Sequence, residues 1–170
     1  MKKVIIGLFL VLLVTGCGKM SEDEAKTVVL DSLENAYLAS YIADGVGLAV
    51  FADQNISEGE GTWYKVADNY NSVQELKNIV DKGYTGEVAD ELKEVIENKY
   101  KDIDGSLYST GVGGCAMPYE IETVREDLEN DVTISNIESD KITITLNDTE
   151  YVLSKVSGKW LSEAQIFKCN

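Results

Sequence analysis

Apolar positions in the first part of the chain repeat at helical spacing. Ser21 precedes Glu24 by three residues, the spacing of a capping box, and apolar side chains then recur every three or four positions to about residue 41. The same spacing predicts a short helix over 72–83 and a third over 85–100. Three helices are therefore expected in this half of the chain.

The second and third of these helices carry their own boundary signals. Ser72 with Glu75 makes another capping box, and Gly83 is the expected end of the helix that it begins. Thr85 is expected to cap the third helix, whose apolar face extends to Tyr100.

Shorter apolar runs in the same region predict strands. Residues 46–51 and 63–67 are expected to pair as an early hairpin, joined by a polar loop over 53–62. A further strand is expected over 106–110, after a turn at Asp104-Gly105.

Toward the C-terminus the apolar period changes to two. Apolar and polar residues alternate over 141–146, Asn147-Asp148 is a turn signal, and Ser157-Gly158 separates a strand over 151–156 from a last one at 160–161. Helices followed by such hairpins predict an α+β fold, in which N-terminal helices pack on a mainly antiparallel C-terminal β-sheet.

The first residues have the layout of a signal peptide. Lys2 and Lys3 precede an uninterrupted apolar run over 4–14, about half of the roughly 20 residues that a membrane-spanning helix needs. Residues 1–16 are therefore expected to be removed, leaving 154 of the 170 residues. That length fits one α+β domain over 21–170.

The end of this leader, Val14-Thr15-Gly16-Cys17, resembles the lipobox of bacterial lipoproteins. The resemblance implies that the Cys17 thiol carries diacylglycerol, that cleavage leaves Cys17 as the first residue, and that residues 17–20 form a lipidated tether. It places the domain at the outer face of the bacterial cell membrane, with the membrane as a partner through the lipid. An ordinary signal peptide with an incidental cysteine is the alternative.

Charge limits the partners that the domain is expected to bind. The chain has 30 acidic and 15 basic residues, and its net charge of −15 becomes −17 when the leader takes two lysines away. Nucleic acid is therefore not an expected partner. The acidity favours a plain solvated surface, and after that basic partners or cations.

Catalytic and metal-binding motifs are hard to find in this sequence. The chain has no histidine, which removes histidine-based nucleophile activation and the commonest zinc ligand. Gly111-Val112-Gly113-Gly114 lacks the lysine and hydroxyl residue of a phosphate loop, and Asp102-Ile103-Asp104-Gly105 fits a turn better than a calcium loop. No catalytic residue, metal or cofactor is expected. The alternative is glycoside hydrolysis by a pair of carboxylates, but no pair stands out among the 30 acidic residues.

Two cysteines remain once Cys17 is assigned to lipid. Cys115 and Cys169 are expected to form a disulfide, because the space outside the membrane is oxidising. Such a bond would close a loop of roughly 50 residues and contribute several kcal/mol on the chain-entropy model. Two free thiols, or one reactive cysteine without a histidine base, are the alternatives.

The segment over 109–119 and a set of aromatic residues are the candidates for binding. The segment combines flexible glycines with small apolar side chains, so it is either a loop able to enter a partner's cleft or a plain connection between strands. The aromatic side chains could line a ligand groove, but their spacing favours the core for most of the set, Trp63, Tyr64, Tyr70, Tyr84, Tyr100, Tyr108 and Tyr119.

Several short stretches, taken in order, resemble the bacterial DL-endopeptidase inhibitor family, secreted proteins that restrain cysteine-type cell-wall hydrolases. The likeness is carried by Trp63-Tyr64-Lys65-Val66, the helix over 72–81 with Tyr84-Thr85, the turn and strand over 104–108, Gly113-Gly114, and Ser157-Gly158-Lys159-Trp160. The lipobox and Cys115 depart from the family's pattern.

This resemblance implies a non-enzymatic protein that inhibits peptidoglycan DL-endopeptidases by inserting a loop into the active-site cleft. The partner would be a cysteine-type peptidoglycan hydrolase, and the inhibitory loop would comprise Gly111, Val112, Gly113, Gly114, Cys115, Ala116 and Met117. The alternative function is a small-ligand-binding or structural envelope lipoprotein, with a pocket between a sheet and its covering helices.

Overall fold

A computed structural model describes residues 20–44, 47–58, 61–111, 114 and 116–168. The predicted signal peptide and the predicted lipidation site, Cys17, lie outside these residues, as do Val112, Gly113, Cys115 and Cys169. No helix in the described ranges is long and apolar enough to cross a membrane.

Four helices and eight strands make up the described chain. In order they are α1 (Glu22–Ala43), β1 (Val50–Glu58), β2 (Gly61–Val66), α2 (Val73–Gly83), α3 (Gly86–Lys99), β3 (Tyr100–Ile103), β4 (Ser106–Ser109), α4 (Val124–Asp131), β5 (Val132–Ile137), β6 (Lys141–Leu146), β7 (Thr149–Val156) and β8 (Lys159–Ser162).

The strands form two antiparallel sheets of four strands each. The first sheet has the order β1-β2-β4-β3, and the second is a simple meander, β5-β6-β7-β8. The α+β class is confirmed, and helices do precede an antiparallel C-terminal sheet. The structure adds a second sheet built from the N-terminal strands.

Helix α1 lies at the centre of the core. Its capping box is present, because the Ser21 hydroxyl accepts from the Glu24 amide at 3.2 Å and the Glu24 carboxylate accepts from the Ser21 amide at 3.0 Å. The helix contacts α2, α3, α4 and β8, and the Ser32 hydroxyl donates to the Trp160 carbonyl at 2.7 Å. One hydrophobic cluster therefore includes side chains from all four helices and from both sheets.

The prediction of a polar loop over 53–62 is wrong. Strand β1 continues to Glu58 and pairs with β2, so a long hairpin stands where the loop was expected. Most β1 side chains are exposed, and the register shifts between Val50 and Asn55. Hydrogen bonds to β2, rather than burial of an apolar face, hold this strand, and apolar periodicity cannot reveal it.

Three predictions around α2 and α3 also need correction. Glu75 does not complete a capping box with Ser72, because its carboxylate accepts from the Asn71 amide at 2.7 Å, although the Ser72 hydroxyl does cap the helix. Thr85 stands at the N-cap of α3, but its side chain makes no capping hydrogen bond within the described chain. Tyr100 does not continue α3; it begins β3.

The C-terminal predictions fare better. Ile142, Ile144 and Leu146 are all buried on one face of β6. The turns at Asn147-Asp148 and at Ser157-Gly158 have positive φ at both residues, as tight hairpins require. Helix α4 and strand β5 were not predicted, because α4 buries only two side chains and a bulge interrupts the alternation of β5.

Candidate functional site

The predicted inhibitory segment lies in the connection between β4 and α4. Of its seven residues, the structure describes four, Gly111, Gly114, Ala116 and Met117. The first three are exposed, whereas Met117 is half-buried and packs against the core. The segment thus presents small groups to solvent and attaches to the protein near its C-terminal end.

The N-terminal end of the loop is held by two hydrogen bonds and by packing against Tyr64. The Thr110 amide donates to the Lys99 carbonyl at 3.0 Å, and the Gly111 amide donates to the Ser109 hydroxyl at 3.2 Å. Gly111 has a φ of +65° and lies against Tyr64, so that a Cβ there would meet the ring at 2.8 Å. Only glycine fits both the backbone conformation and the space.

The C-terminal end is held by the hydroxyl of Tyr37, which is fully buried on α1. This hydroxyl accepts from the Tyr119 amide at 3.1 Å and donates to the Tyr119 carbonyl. The Tyr119 hydroxyl in turn donates to the Asp131 carboxylate on α4 at 2.9 Å. One buried side chain thereby satisfies both backbone groups of the residue where the loop rejoins the framework.

Rings reinforce this attachment. The Tyr37 ring centroid lies 5.6 Å from that of Tyr119 and 5.1 Å from that of Phe167, the latter edge-to-face. Burial raises the pKa of the Tyr37 hydroxyl, and burial together with the hydrogen bond to Asp131 raises the pKa of Tyr119 to about 12. Like any tyrosine, both are protonated donors at neutral pH, and the raised pKa values extend this to more alkaline pH.

Acidic side chains surround the attached end of the loop. The negative charges of Glu120 and Asp127 act on Tyr37, and those of Asp68, Glu122 and Glu120 act on the neighbouring Tyr41, raising the pKa of each hydroxyl beyond the effect of burial. These carboxylates come from the β2–α2 connection, the loop itself and α4. The surface beside the loop is therefore negative.

A cavity of about 610 Å³ adjoins the loop at Pro118. Apolar side chains line much of it, and Glu91 and Lys168 bring opposite charges to it. It lies between α3, the β6–β7 turn and the C-terminal segment, and its lining comprises Val88, Glu91, Pro118, Leu146, Asn147, Tyr151, Ala164, Gln165, Ile166, Phe167 and Lys168.

The C-terminal segment packs directly against the loop. The ring centroids of Tyr119 and Phe167 are 6.2 Å apart. Cys115 precedes Tyr119 by four positions and Cys169 follows Phe167 by two, a separation that the chain can bridge at roughly 3.5 Å per residue. The predicted disulfide between Cys115 and Cys169 fits this neighbourhood and stays a prediction.

The aromatic set predicted for the core is divided by the structure. Tyr84 and Tyr100 are buried in the core, and Tyr70 and Tyr119 pack at its edge. Trp63, Tyr64 and Tyr108 are only half-buried on the first sheet and do not pack against the core formed by the described residues. The prediction that most of the set lies in the core is therefore confirmed, and Trp63 and Tyr108 depart from it because they lie on the face of the sheet opposite Val66.

Tyr37 was not recognised from the sequence as a functional residue. It follows the helical stripe of α1, and its position predicts burial correctly. A buried tyrosine hydroxyl needs a hydrogen-bond partner, which is a signal that the sequence does contain, but the partner lies 82 residues away.

No group of three or more acidic or cysteine side chains suited to a metal ion occurs among the described residues. No protein-family model matches the chain, and no curated protein matches it. The likeness to the endopeptidase inhibitors therefore rests on the residues that carry it.

Proposed function

We propose that this chain is a membrane-anchored extracytoplasmic lipoprotein that inhibits peptidoglycan DL-endopeptidases with the loop after β4. The observation that carries the proposal is the attachment of this loop at both ends, by Gly111 against Tyr64 and by the Tyr37 hydroxyl on Tyr119. The exposed residues between them are small enough to enter a narrow cleft.

Attachment matters because binding costs the entropy of ordering a loop. A segment whose ends are already fixed loses less conformational freedom on docking than a free one, so more of the contact energy appears as affinity. A Cys115–Cys169 disulfide would add to this effect, since it would tie the middle of the loop to the C-terminal segment.

The acidic surface beside the loop supports association with a positively charged cleft. Charges such as those of Glu120 and Glu122 steer encounter more than they strengthen the final complex, and their effect decreases as salt rises. We expect the association rate with the hydrolase to fall between low and physiological ionic strength. An association rate that ignores ionic strength would contradict this part of the proposal.

The decisive experiment measures peptidoglycan hydrolysis by a cysteine-type DL-endopeptidase with the chain from Gly18 to Asn170, which contains every described element. Ala116→Trp places a bulky ring on the exposed loop and should abolish dose-dependent inhibition, as should replacement of Gly113 and Gly114 by valine. Ser139→Trp is the matched control, because Ser139 is equally exposed but lies at the far end of β6 from the loop. Equal inhibition by all variants, or none by the folded parent chain, would exclude loop blockade.

The lipid anchor has its own test. In bacterial cells grown with labelled palmitate, the full-length chain should acquire the label and remain with the membrane, whereas Cys17→Ser should lose both properties. Label on the Cys17→Ser variant would exclude this residue as the site.

The cavity beside the loop favours a second candidate function, the binding of a small ligand. Its volume falls within the range of ligand sites, and a mixed polar and apolar lining with a carboxylate and an ammonium suits a small zwitterionic molecule such as a peptide. Calorimetry with short peptides, on the parent chain and on Val88→Trp to fill the cavity, tests it. If Val88→Trp left the heat of peptide binding unchanged, the peptide would bind outside this cavity.

A further inference from the structure

The first sheet has an outer face that turns away from the core. Strand register places Trp63 beside Ile56, and Tyr108 between Lys65 and Lys101, all on this face. The opposite face carries Val66, Tyr100 and Leu107, which are buried in the core. The outer face of the first sheet is defined by Ile56, Trp63, Lys65, Lys101, Ile103 and Tyr108.

Its apolar side chains have no core to join. Ile56, Trp63, Ile103 and Tyr108 are each half-buried, yet none packs against the core that the described residues form. Strand register instead makes them neighbours of one another and of two lysines. The result is a shallow aromatic platform at the surface of a strongly acidic protein.

Two lysines are placed in this platform. The Lys101 ammonium lies 5.5 Å from the centroid of the Trp63 ring and 2.7 Å from the Glu58 carboxylate, which together fix the indole in position. Lys65 forms no ion pair with any carboxylate in the described part of the chain. Because β2 and β3 lie on either side of β4, the Cα atoms of the two lysines are separated by about 10 Å, twice the spacing of neighbouring strands.

We propose that the outer face of the first sheet binds a glycan strand whose sugars carry carboxylates. A sugar ring presents C–H groups that are attracted to the negative face of an aromatic ring, so Trp63, on the side away from Lys101, and Tyr108 offer two stacking positions. Lys65 then meets a carboxylate of the same strand. A sparsely charged polymer fits one unpaired lysine better than a densely charged one.

Charge argues against the other polymer that stacks on aromatic residues. Single-stranded nucleic acid carries one phosphate per nucleotide. A chain with a net charge of −15 repels such a polymer more strongly than the lysines of the platform attract it. A glycan with one carboxylate in each disaccharide is repelled far less. The proposal is independent of loop inhibition, since the platform and the loop are tested with different ligands.

The experiment titrates the chain from Gly18 to Asn170 with three probes: peptide-free glycan strands containing N-acetylmuramic acid, chitotetraose as the uncharged analogue, and an oligothymidylate. Binding to the muramic strands should be strongest. Trp63→Ala should weaken it at least tenfold while Trp63→Tyr retains most of it, and Lys65→Gln should weaken it severalfold without affecting chitotetraose.

Substitutions on the solvent side of the second sheet are the matched controls. Val152→Ala and Lys141→Gln remove one exposed apolar and one exposed charged side chain and should bind the strands as the parent does. Three results would each overturn the proposal: no binding of either glycan by the folded chain, unchanged binding by Trp63→Ala, or tighter binding of oligothymidylate. Self-association that Trp63→Ala abolishes would assign the platform to a second copy of this chain instead.

Discussion

Gly83 is the last residue of α2, and its missing side chain decides how α1 and α2 pack. A Cβ at this position would lie 2.4 Å from the Ala36 amide nitrogen and 2.5 Å from the Ala36 Cα. The glycine was expected as a helix end, which is correct. Its main role, however, is to let two helix backbones approach, and no local pattern around residue 83 contains that information.

Gly83→Ala should therefore be severely destabilising, by about 3 kcal/mol or more, because backbone rather than a movable side chain blocks the new methyl group. Gly86→Ala is the matched control. Its φ of +67° imposes strain of about 1 kcal/mol, but nothing lies within 4 Å of the new Cβ. Urea unfolding of both variants measures the difference, and equal losses would contradict the packing argument.

Tyr84 shows how a buried hydroxyl makes stability depend on pH. The Tyr84 and Ser40 hydroxyls are 2.9 Å apart, and burial raises the pKa of Tyr84 to about 12 from an ordinary value of 10.0. Between these values the unfolded chain releases this proton and the folded chain keeps it. Stability should thus fall as pH rises from about 10 to 12, by about 2 to 3 kcal/mol from this residue.

The free energy of unfolding, measured in urea from pH 9 to 12, tests this expectation. Tyr84→Phe should lower stability at pH 9, since it removes the hydrogen bond to Ser40, but should show a smaller alkaline decline. Ser40→Ala removes the same hydrogen bond and keeps the phenol, so it should retain the full decline. An identical decline in both variants would mean that other tyrosines cause it.

At the scale of elements, the loop after β4 depends on a helix that is distant in sequence. The Tyr37 hydroxyl on α1 forms hydrogen bonds with both backbone groups of Tyr119, and Gly111 packs against the Tyr64 ring on β2. Neither contact joins neighbouring elements of the chain. The glycines of the segment were visible in the sequence, but the two attachment points were not.

Tyr37→Phe keeps the buried ring and removes this attachment. We expect a loss of about 1 to 3 kcal/mol in stability, because the Tyr119 amide and carbonyl lose their partner, together with faster hydrogen exchange at the Tyr119 amide and weaker inhibition. Tyr41→Phe is the control, since its ring is near but its hydroxyl makes no hydrogen bond to a described residue. Unchanged exchange in Tyr37→Phe would show that the ring alone holds the loop.

At the scale of the whole molecule, the C-terminal segment joins the second sheet to the loop. Phe167 packs against both Tyr37 and Tyr119, and the Gln165 amide donates to the Asp44 carboxylate at 2.6 Å beyond the end of α1. A disulfide between Cys115 and Cys169 would make this connection covalent.

Intact mass measured with and without reductant tests the bond, because its formation removes two hydrogens. Reduction should also lower the free energy of unfolding by about 4 kcal/mol on the chain-entropy model, and Cys169→Ser should match the reduced parent. A mass that reductant leaves unchanged would mean that both thiols are free.

The sequence by itself determined the features that depend on neighbouring residues. These are the α+β class, the cap at Ser21, the apolar face of β6, and hairpin turns such as Asn147-Asp148. Each follows from a short-range rule of spacing, turn conformation or helix capping, which operates whatever the rest of the chain does.

Only the tertiary structure decided the strand order of the first sheet, the polar hairpin of β1, the attachment of the loop through Tyr37, and the aromatic face around Trp63. These features come from contacts between residues far apart in the sequence. Whether a half-apolar strand turns an aromatic side chain inward or outward depends on which face another element covers, and that is settled only when the elements pack.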